Sequence, residues 1–479
     1  MNPTIANLPE LYKHQKEVLE ISKTTNELAL FHEMGTGKTR SVIEILRNIY
    51  NTNKGFKKTL ILGPTSVIFN WKNEIKKFSN IPENRVYVCA SGAQREVKLK
   101  KAIEQGATIV TLNYEALISK KVKDVLLAWK PEVLVADESH SIKNPTAVRS
   151  KAVFEIAEKT EKRFILTGTP ILKNTMDAFM QFKILDLGKT FGKNFFIFRA
   201  EYFMDKNASW AGKQGHFPLW VPREDKKEKL LNKISSKAHV VYMKDCVDLP
   251  PYQNIIEKVP FGDDQKKAYE QMRDFFVAFV KENTQNPAVA TIAPVKALRM
   301  MQICAGHVTL DNQETVNFGL TPKLERLGEL IEEVKDNHKF IVWTAFKHDN
   351  KAACELLEKL GVKYVKITGD QSTQEKQKAV DDFQNDPSVG GVVATMSAGG
   401  TGITLTQASY SFVLSRNFSL GDNLQSRARN YRSGSQIHEK ITNYDLVVED
   451  SIEERVAEAI NNKEEIGKLV LEWAKNNQL

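Results

Sequence analysis

Short apolar runs rich in Val, Ile and Leu alternate along this chain with longer stretches in which apolar residues recur three and four apart. That alternation is the rhythm of buried parallel strands joined by amphipathic helices. A first block holds KTLILGP, RVYVCAS, ATIVTLN, EVLVADE and RFILTGT, each ended by Gly, Pro, Asn or Asp. A second block repeats the pattern with KFIVWTA, VKYVKIT, GGVVATM, SFVLSRN and ITNYDLVV. Two similar α/β lobes built on parallel sheets are therefore expected. Between the blocks, from about Ile171 to Gly319, the rhythm is lost. REDKKEKLLNKISSK and DDQKKAYEQMRDFFVAFVKEN in that stretch read as helices by periodicity. The adjacent prolines of LPPYQ, Leu249 to Gln253, suit neither a helix nor a central strand. The lobe junction is accordingly placed near residue 245. The first lobe spans residues 1–245 with a helical insertion over about 171–240, and the second spans 246–479 with one over about 264–318. The run Ser451 to Leu479 is expected to be helical.

Composition narrows the class. At 479 residues, with 42 % hydrophobic and 27 % charged residues, the chain is expected to be globular and divided into two or three domains. Its four cysteines, Cys89, Cys246, Cys304 and Cys354, form no CxxC pair. That spacing favours a reducing compartment over a zinc knuckle or a disulfide framework. The opening MNPTIANLPELYKHQ lacks the basic and apolar regions of a signal peptide, and no apolar run is long enough to cross a bilayer. A soluble cytoplasmic protein is expected. The formal net charge of +9 hints at a polyanionic partner without naming one.

The chemistry begins at FHEMGTGKTR, Phe31 to Arg40, between the apolar NELALF and the helical SVIEILRNIY. Strand, glycine-containing loop, Lys-Thr and helix make the context of a phosphate-binding loop. Gly35, Thr36 and Gly37 would curve backbone N–H groups around an anion at a helix N-terminus. Lys38 would reach the β- and γ-phosphates and Thr39 would hold Mg²⁺. Asp137 and Glu138 follow the buried strand EVLVA, which sets both carboxylates at the carboxyl edge of a parallel sheet. Asp137 can hold the metal, and Glu138 can accept a proton from attacking water. Thr167 and Thr169 of LTGTP end a further strand and could sense the γ-phosphate.

With these three motifs in order, the chain resembles a superfamily-two helicase-like ATPase, and more narrowly a Swi/Snf-type DNA translocase. The resemblance runs over nearly the whole chain. LYKHQ is similar to the family's adenine-contacting segment, with Gln15 as the reader. LGPTSVIFNWKNEIKKF, DESHSIKN and LTGTPILKN are close likenesses of further family segments, as is LPPYQ followed by Gln265 and Tyr269. The family loop usually carries Asp at the place of His32. In the second block TMSAGGTGITLT, Thr395 to Thr406, is similar to the segment that couples ATP to DNA, with Gly399, Gly400 and Gly402 allowing close backbone approach to phosphate. QSRARNYRSG holds Arg429 and Arg432 at the spacing of the family's paired arginines, although Ala428, Tyr431 and Ser435 depart from the pattern and Arg427 is a third candidate. Phe418 stands at the place of a family Trp, beside Asn423 and Gln425. Trp343 and Phe346 are read either as core or as DNA-facing.

The resemblance implies two RecA-like lobes with ATP and Mg²⁺ between them, completed by the arginine pair. It implies DNA held through its backbone by Thr65, Lys72, Asn113, Thr395 and Thr404. It further implies an ATP-dependent translocase on duplex or branched DNA that remodels forks or junctions, for example by branch migration in repair or recombination. The competing readings are a strand-unwinding DNA or RNA helicase and a catalytically silent nucleic-acid-binding scaffold.

Overall fold

The computed structural model describes residues 8, 10–90, 92, 94–168, 175–208, 218, 220–242, 249–282, 288–310, 314–399 and 403–462. Two compact units emerge, one from Met1–Lys206 with Pro218–Val247 and one from Asp248–Leu479 with Asn207–Phe217. Each is an α/β layer structure around its own parallel sheet.

In the first unit the strands are β1 (Glu27–His32), β2 (Thr59–Gly63), β3 (Val86–Cys89), β4 (Ile109–Asn113), β5 (Val133–Ala136) and β6 (Lys162–Thr167). An antiparallel hairpin, β7 (Phe203–Asp205) and β8 (Trp220–Pro222), precedes the last sheet strand, β9 (Ala238–Val241). The sheet order is β3-β4-β2-β5-β6-β1-β9, parallel throughout. Every residue of β1, β2, β4 and β5 is buried, as near-continuous apolar runs demand when helices cover both faces. Burial of each Val, Leu or Ile side chain there contributes roughly 1.5–3 kcal/mol. Because β6 lies between β1 and β5, the loops after all three leave from neighbouring points on one edge.

The second unit contains β10 (Tyr252–Val259), a hairpin of β11 (His307–Thr309) and β12 (Thr315–Asn317), then β13 (Lys339–Thr344), β14 (Tyr364–Ile367), β15 (Gly391–Thr395), β16 (Ala408–Val413) and β17 (Ile441–Val448). Its sheet runs β10-β17-β16-β13-β15-β14, again all parallel. Trp343 is fully buried in the core beside Ile341 and Ile367. Phe346 is partly buried and packs on a second cluster around Met300 and Val308. Both aromatics belong to packing.

The stretch from about 171 to 319, where the rhythm is lost, holds more than the two expected helical insertions. It does hold helices Ala178–Asp186, Phe195–Tyr202, Glu224–Ser235, Asp263–Glu282 and Ala288–Cys304. It also supplies an outer strand to each sheet, β9 and β10, and both small hairpins. β9 is four residues long and mostly half-buried, while β10 mixes polar and apolar residues, so neither shows a continuous apolar run. At the C-terminus the described helix is Ile452–Asn461. No described helix is long and apolar enough to cross a membrane.

Candidate nucleotide site and arginine pair

The phosphate-loop residues fold as a tight connection from β1 into helix Lys38–Asn53. Gly35 and Gly37 both adopt φ +83°, a left-handed conformation that side chains resist. At Gly37 a Cβ would also lie 2.5 Å from the Gln15 amide nitrogen, so this glycine cannot be replaced without displacing its neighbour. Thr36 is buried and its hydroxyl donates to the Glu33 carbonyl at 2.7 Å, closing the turn. Lys38 Nζ donates to the carbonyls of His32 (2.8 Å) and Glu33 (3.3 Å), and so lies folded over the loop. Thr39 follows, half-buried on the first turn of the helix.

Gln15 is buried beneath the same loop. Its Oε1 accepts from the Tyr12 N–H at 3.0 Å and its Nε2 donates to the Gly37 carbonyl at 3.2 Å. The amide thus ties the first helix to the loop.

Asp137 leaves the end of β5 and is buried. Trp71 Nε1, itself fully buried, donates to its Oδ2 at 2.9 Å, and the Tyr114 hydroxyl donates to its backbone carbonyl at 2.7 Å. Burial, and after it the neighbouring Glu138, push the Asp137 carboxyl up to about 6 against the opposing pull of Lys38 and Trp71. A buried carboxyl in that condition gains from a divalent cation, which favours its charged form. Glu138 is held at φ +49°, a costly conformation for a residue with a Cβ, and its Oε2 lies 3.3 Å from His140 Nδ1. Thr167 ends β6 fully buried, with its hydroxyl 3.5 Å from the same ring nitrogen. A Cβ on the following Gly168 would stand 2.7 Å from Met34 and 3.3 Å from Lys38 Nζ. Lys38, Asp137, Glu138 and Gly168 therefore converge on one edge, and the donor set of hydroxyl and carboxylate suits Mg²⁺. Thr169 lies outside the described residues.

In the second unit Thr395 closes β15, where its buried hydroxyl has no hydrogen-bond partner among the described residues. Thr404 is half-buried a few residues on, and Gly400 and Gly402 lie outside the described residues. The arginines sort themselves. Arg427 is spent inside the unit, on Asp445 at 2.7 Å and Asn461 at 2.8 Å, where Arg416 also approaches Asp445 at 3.1 Å. Arg429 and Arg432 instead both reach the Ile403 carbonyl, at 3.1 and 3.4 Å. The pair is thus anchored to the TMSAGGTGI segment itself. Tyr431, one of the departures from the family pattern, packs its ring 4.7 Å from that of Tyr252.

Of the residues expected along DNA, Thr65 is exposed and Lys72 half-exposed, on one helix, Thr65–Phe78. Asn113 requires correction. It is buried, its Oδ1 accepts from Arg95 at 2.6 Å and its Nδ2 donates to Glu115 at 2.9 Å, so its side chain is committed within the fold. Sequence reasoning missed Trp71 and Tyr114 as supports of Asp137, since nothing local marks a partner 66 or 23 residues away. A cavity of about 460 Å³ lined by Leu46, Tyr50, Phe56 and Ile81 also touches Thr59 and Ile109, which begin β2 and β4, and so lies away from these groups at the opposite edge.

The family model of the SNF2-related domain matches residues 14–307, more than half of the chain. The chain belongs to the SNF2-related family. Residues 322–434 match the helicase conserved C-terminal domain. Family and motifs agree on a helicase-like ATPase class, and the phosphate loop, the Asp137-Glu138 pair and LTGTP all fall within the first match. Relatives include the nuclear protein STH1/NPS1 of Saccharomyces cerevisiae, 26 % identical over 99 % of this chain and 36 % of that one. The DNA annealing helicase and endonuclease ZRANB3 of Homo sapiens is 25 % identical over 91 % and 38 %. An uncharacterized ATP-dependent helicase of Mycoplasma pneumoniae is 24 % identical over 91 % and 39 %. The chain thus spans little more than a third of the length of these relatives. Among solved structures, the Sulfolobus solfataricus SWI2/SNF2 ATPase core in complex with dsDNA is similar at 23 % identity and a TM-score of 0.44, over 98 % of this chain and 93 % of that one.

Proposed function

We propose that this chain is a nucleic-acid-stimulated ATPase that moves along duplex DNA and remodels branched structures such as forks and junctions. The observation that carries the reading is the convergence of Lys38, Asp137 and Glu138 on one sheet edge, around a loop held in a left-handed turn at Gly35 and Gly37. The loop N–H groups and the N-terminus of helix Lys38–Asn53 bind the phosphates, and Gln15 holds the loop against the first helix. Thr39 and Asp137 hold Mg²⁺, which when bound neutralises charge on the phosphates. Glu138 accepts the proton of the attacking water. Arg429 and Arg432 meet the charge that develops on the transferred phosphoryl group, and loss of either costs about a thousandfold or more in rate. Because both arginines bind Ile403, a change at the TMSAGGTGI segment reaches them directly. Backbone contacts from Thr65, Lys72, Thr395 and Thr404 hold DNA without reading its bases.

ATP turnover measured against single strands, duplexes, forks and four-way junctions tests the reading. Stimulation by duplex and branched DNA is expected. A rate unchanged by every nucleic acid contradicts a motor. Displacement of a third strand from a triplex without separation of an ordinary duplex distinguishes translocation from unwinding.

A further inference from the structure

Beneath the phosphate loop lie three histidines that the chemistry above does not use. His14, beside Gln15 on helix Lys13–Thr24, is buried, and His32, the last residue of β1, is fully buried. His239 stands on β9. The His14 and His32 rings meet edge to face at 5.6 Å, and those of His32 and His239 at 5.1 Å. Tyr12 stacks on the outer side of His14 at 5.7 Å.

Hydrogen-bond accounting assigns the protons. His14 Nε2 lies 2.8 Å from the Thr36 carbonyl, which can only accept, so that nitrogen carries the hydrogen. His239 Nε2 lies 3.4 Å from the Glu17 carboxylate, again an acceptor. His32 Nε2 and His239 Nδ1 are 3.0 Å apart, one donating to the other. If His239 were the donor, the hydrogen of a neutral His32 would sit on Nδ1, which is buried and has no partner among the described residues. An orphaned buried N–H is rarer than an orphaned acceptor, so His32 donates from Nε2. The remaining Nδ1 lone pairs of His14 and His32 face no hydrogen-bond partner among the described residues. Burial lowers the pKa of both rings, that of His32 to about 2 with Lys38 the next cause, which agrees with neutral imidazoles here.

We propose that His14, His32 and His239 form a positioning relay for the nucleotide, with a hydrogen on each Nε2, that fixes the phosphate loop from below. This deepens the nucleotide reading of the loop and rests on it. The relay acts at two points. His14 clamps the Thr36 carbonyl in mid-loop, so the N–H groups on either side keep their direction. His32 ties β1 to β9 where the loop starts, and the backbone agrees: Glu33 N–H donates to the Val241 carbonyl at 2.9 Å. His32 also presents its own carbonyl to Lys38 Nζ, so the ring's anchorage sets where that ammonium rests. A neutral ring at position 32 places no charge beneath Lys38. β9 is also the last described strand of the first unit.

The test uses the full chain in two independent measurements. Nitrogen-15 spectra of the labelled histidines, assigned by single substitutions, report which ring nitrogen carries hydrogen. The expected result is Nε2–H on all three, with the His32 signal displaced in His239→Leu. Steady-state kinetics give the functional arm. His14→Ala is expected to raise KM for ATP about tenfold with kcat within about twofold, the signature of lost uniform binding. His14→Gln keeps an N–H donor and is expected to restore KM to within about threefold. Nδ1–H on His14 or His32, or native KM in His14→Ala, overturns the relay, as does equal impairment of the Ala and Gln variants. If the native chain turns over no ATP, the nucleotide reading fails, while the spectra still decide the relay by themselves.

Discussion

At the scale of single residues, the candidate metal ligand is fixed from behind by an indole. Trp71 spends its only polar atom on Asp137, and in doing so orients the carboxylate and opposes the rise in its pKa. Supporting hydrogen bonds of this kind are worth about 10–100-fold in metal affinity or activity. Trp71→Phe removes the donor and leaves a small cavity at a fully buried position. It is expected to raise the Mg²⁺ concentration for half-maximal ATP turnover about tenfold and to cost about 1–3 kcal/mol of stability while the chain remains folded; an unchanged Mg²⁺ dependence would place the metal elsewhere. The strand-loop-Lys-Thr-helix order made Lys38 and Thr39 legible, and the strand before them did the same for Asp137 and Glu138. Local order could not reveal that Asn113 is claimed by Arg95, a residue on a separate helix, nor that Arg427 is claimed by Asp445. Those partners are brought in by tertiary packing alone.

Among the elements, the second unit is pinned by buried charge. Lys323, at the start of helix Pro322–Val334, meets Glu453 of helix Ile452–Asn461 at 2.7 and 2.6 Å, with both side chains almost wholly buried. Lys323→Met leaves Glu453 buried without its cation and is expected to cost about 3–5 kcal/mol in denaturant unfolding. The Lys323→Met/Glu453→Leu pair should recover most of it, because two apolar side chains replace two desolvated charges. A double variant as weak as the single would refute this account of the pair. Asp349 makes a second case: buried on helix Lys347–Lys359, it takes N–H groups of Phe346 and Asn350 and the Ser415 hydroxyl. Burial holds its carboxyl up at about 6, whereas the unfolded chain releases that proton lower. The folded state thus binds the extra proton between those values, and stability falls as pH rises through about 6. Asp349→Asn removes this loss, so its Tm relative to native should be higher at about pH 7.5 than at about pH 5. The sheet strands with continuous apolar runs were readable from the chain. β9 and β10 were not, because an outer strand with one side in water needs no continuous apolar run and β10 sits behind the two prolines that mark the junction.

For the molecule as a whole, charge is divided unevenly. Residues 1–247 carry 41 Lys and Arg against 26 Asp and Glu, while residues 248–479 carry 27 against 33. The positive excess therefore lies in the first half of the chain, and the modest overall charge conceals it. Lys72→Ala is expected to weaken duplex binding alike on all sequences and to reduce the slope of log K against log salt by about one; an unchanged slope would remove Lys72 from the DNA path. The two-sheet plan was legible because one rhythm occurs twice. The pairing of Arg429 and Arg432 with Ile403 was not, since a spacing of three shows where arginines stand and not what they hold. The central claim, a nucleic-acid-driven ATPase working through the loop at Lys38, is tested most directly by ATP turnover of the native chain and Lys38→Ala, each with and without duplex DNA. The account predicts native turnover that rises about tenfold or more with DNA and falls to background in the variant, in keeping with the scale of phosphate-contact effects. Turnover in Lys38→Ala equal to native, or native turnover indifferent to DNA, would contradict it.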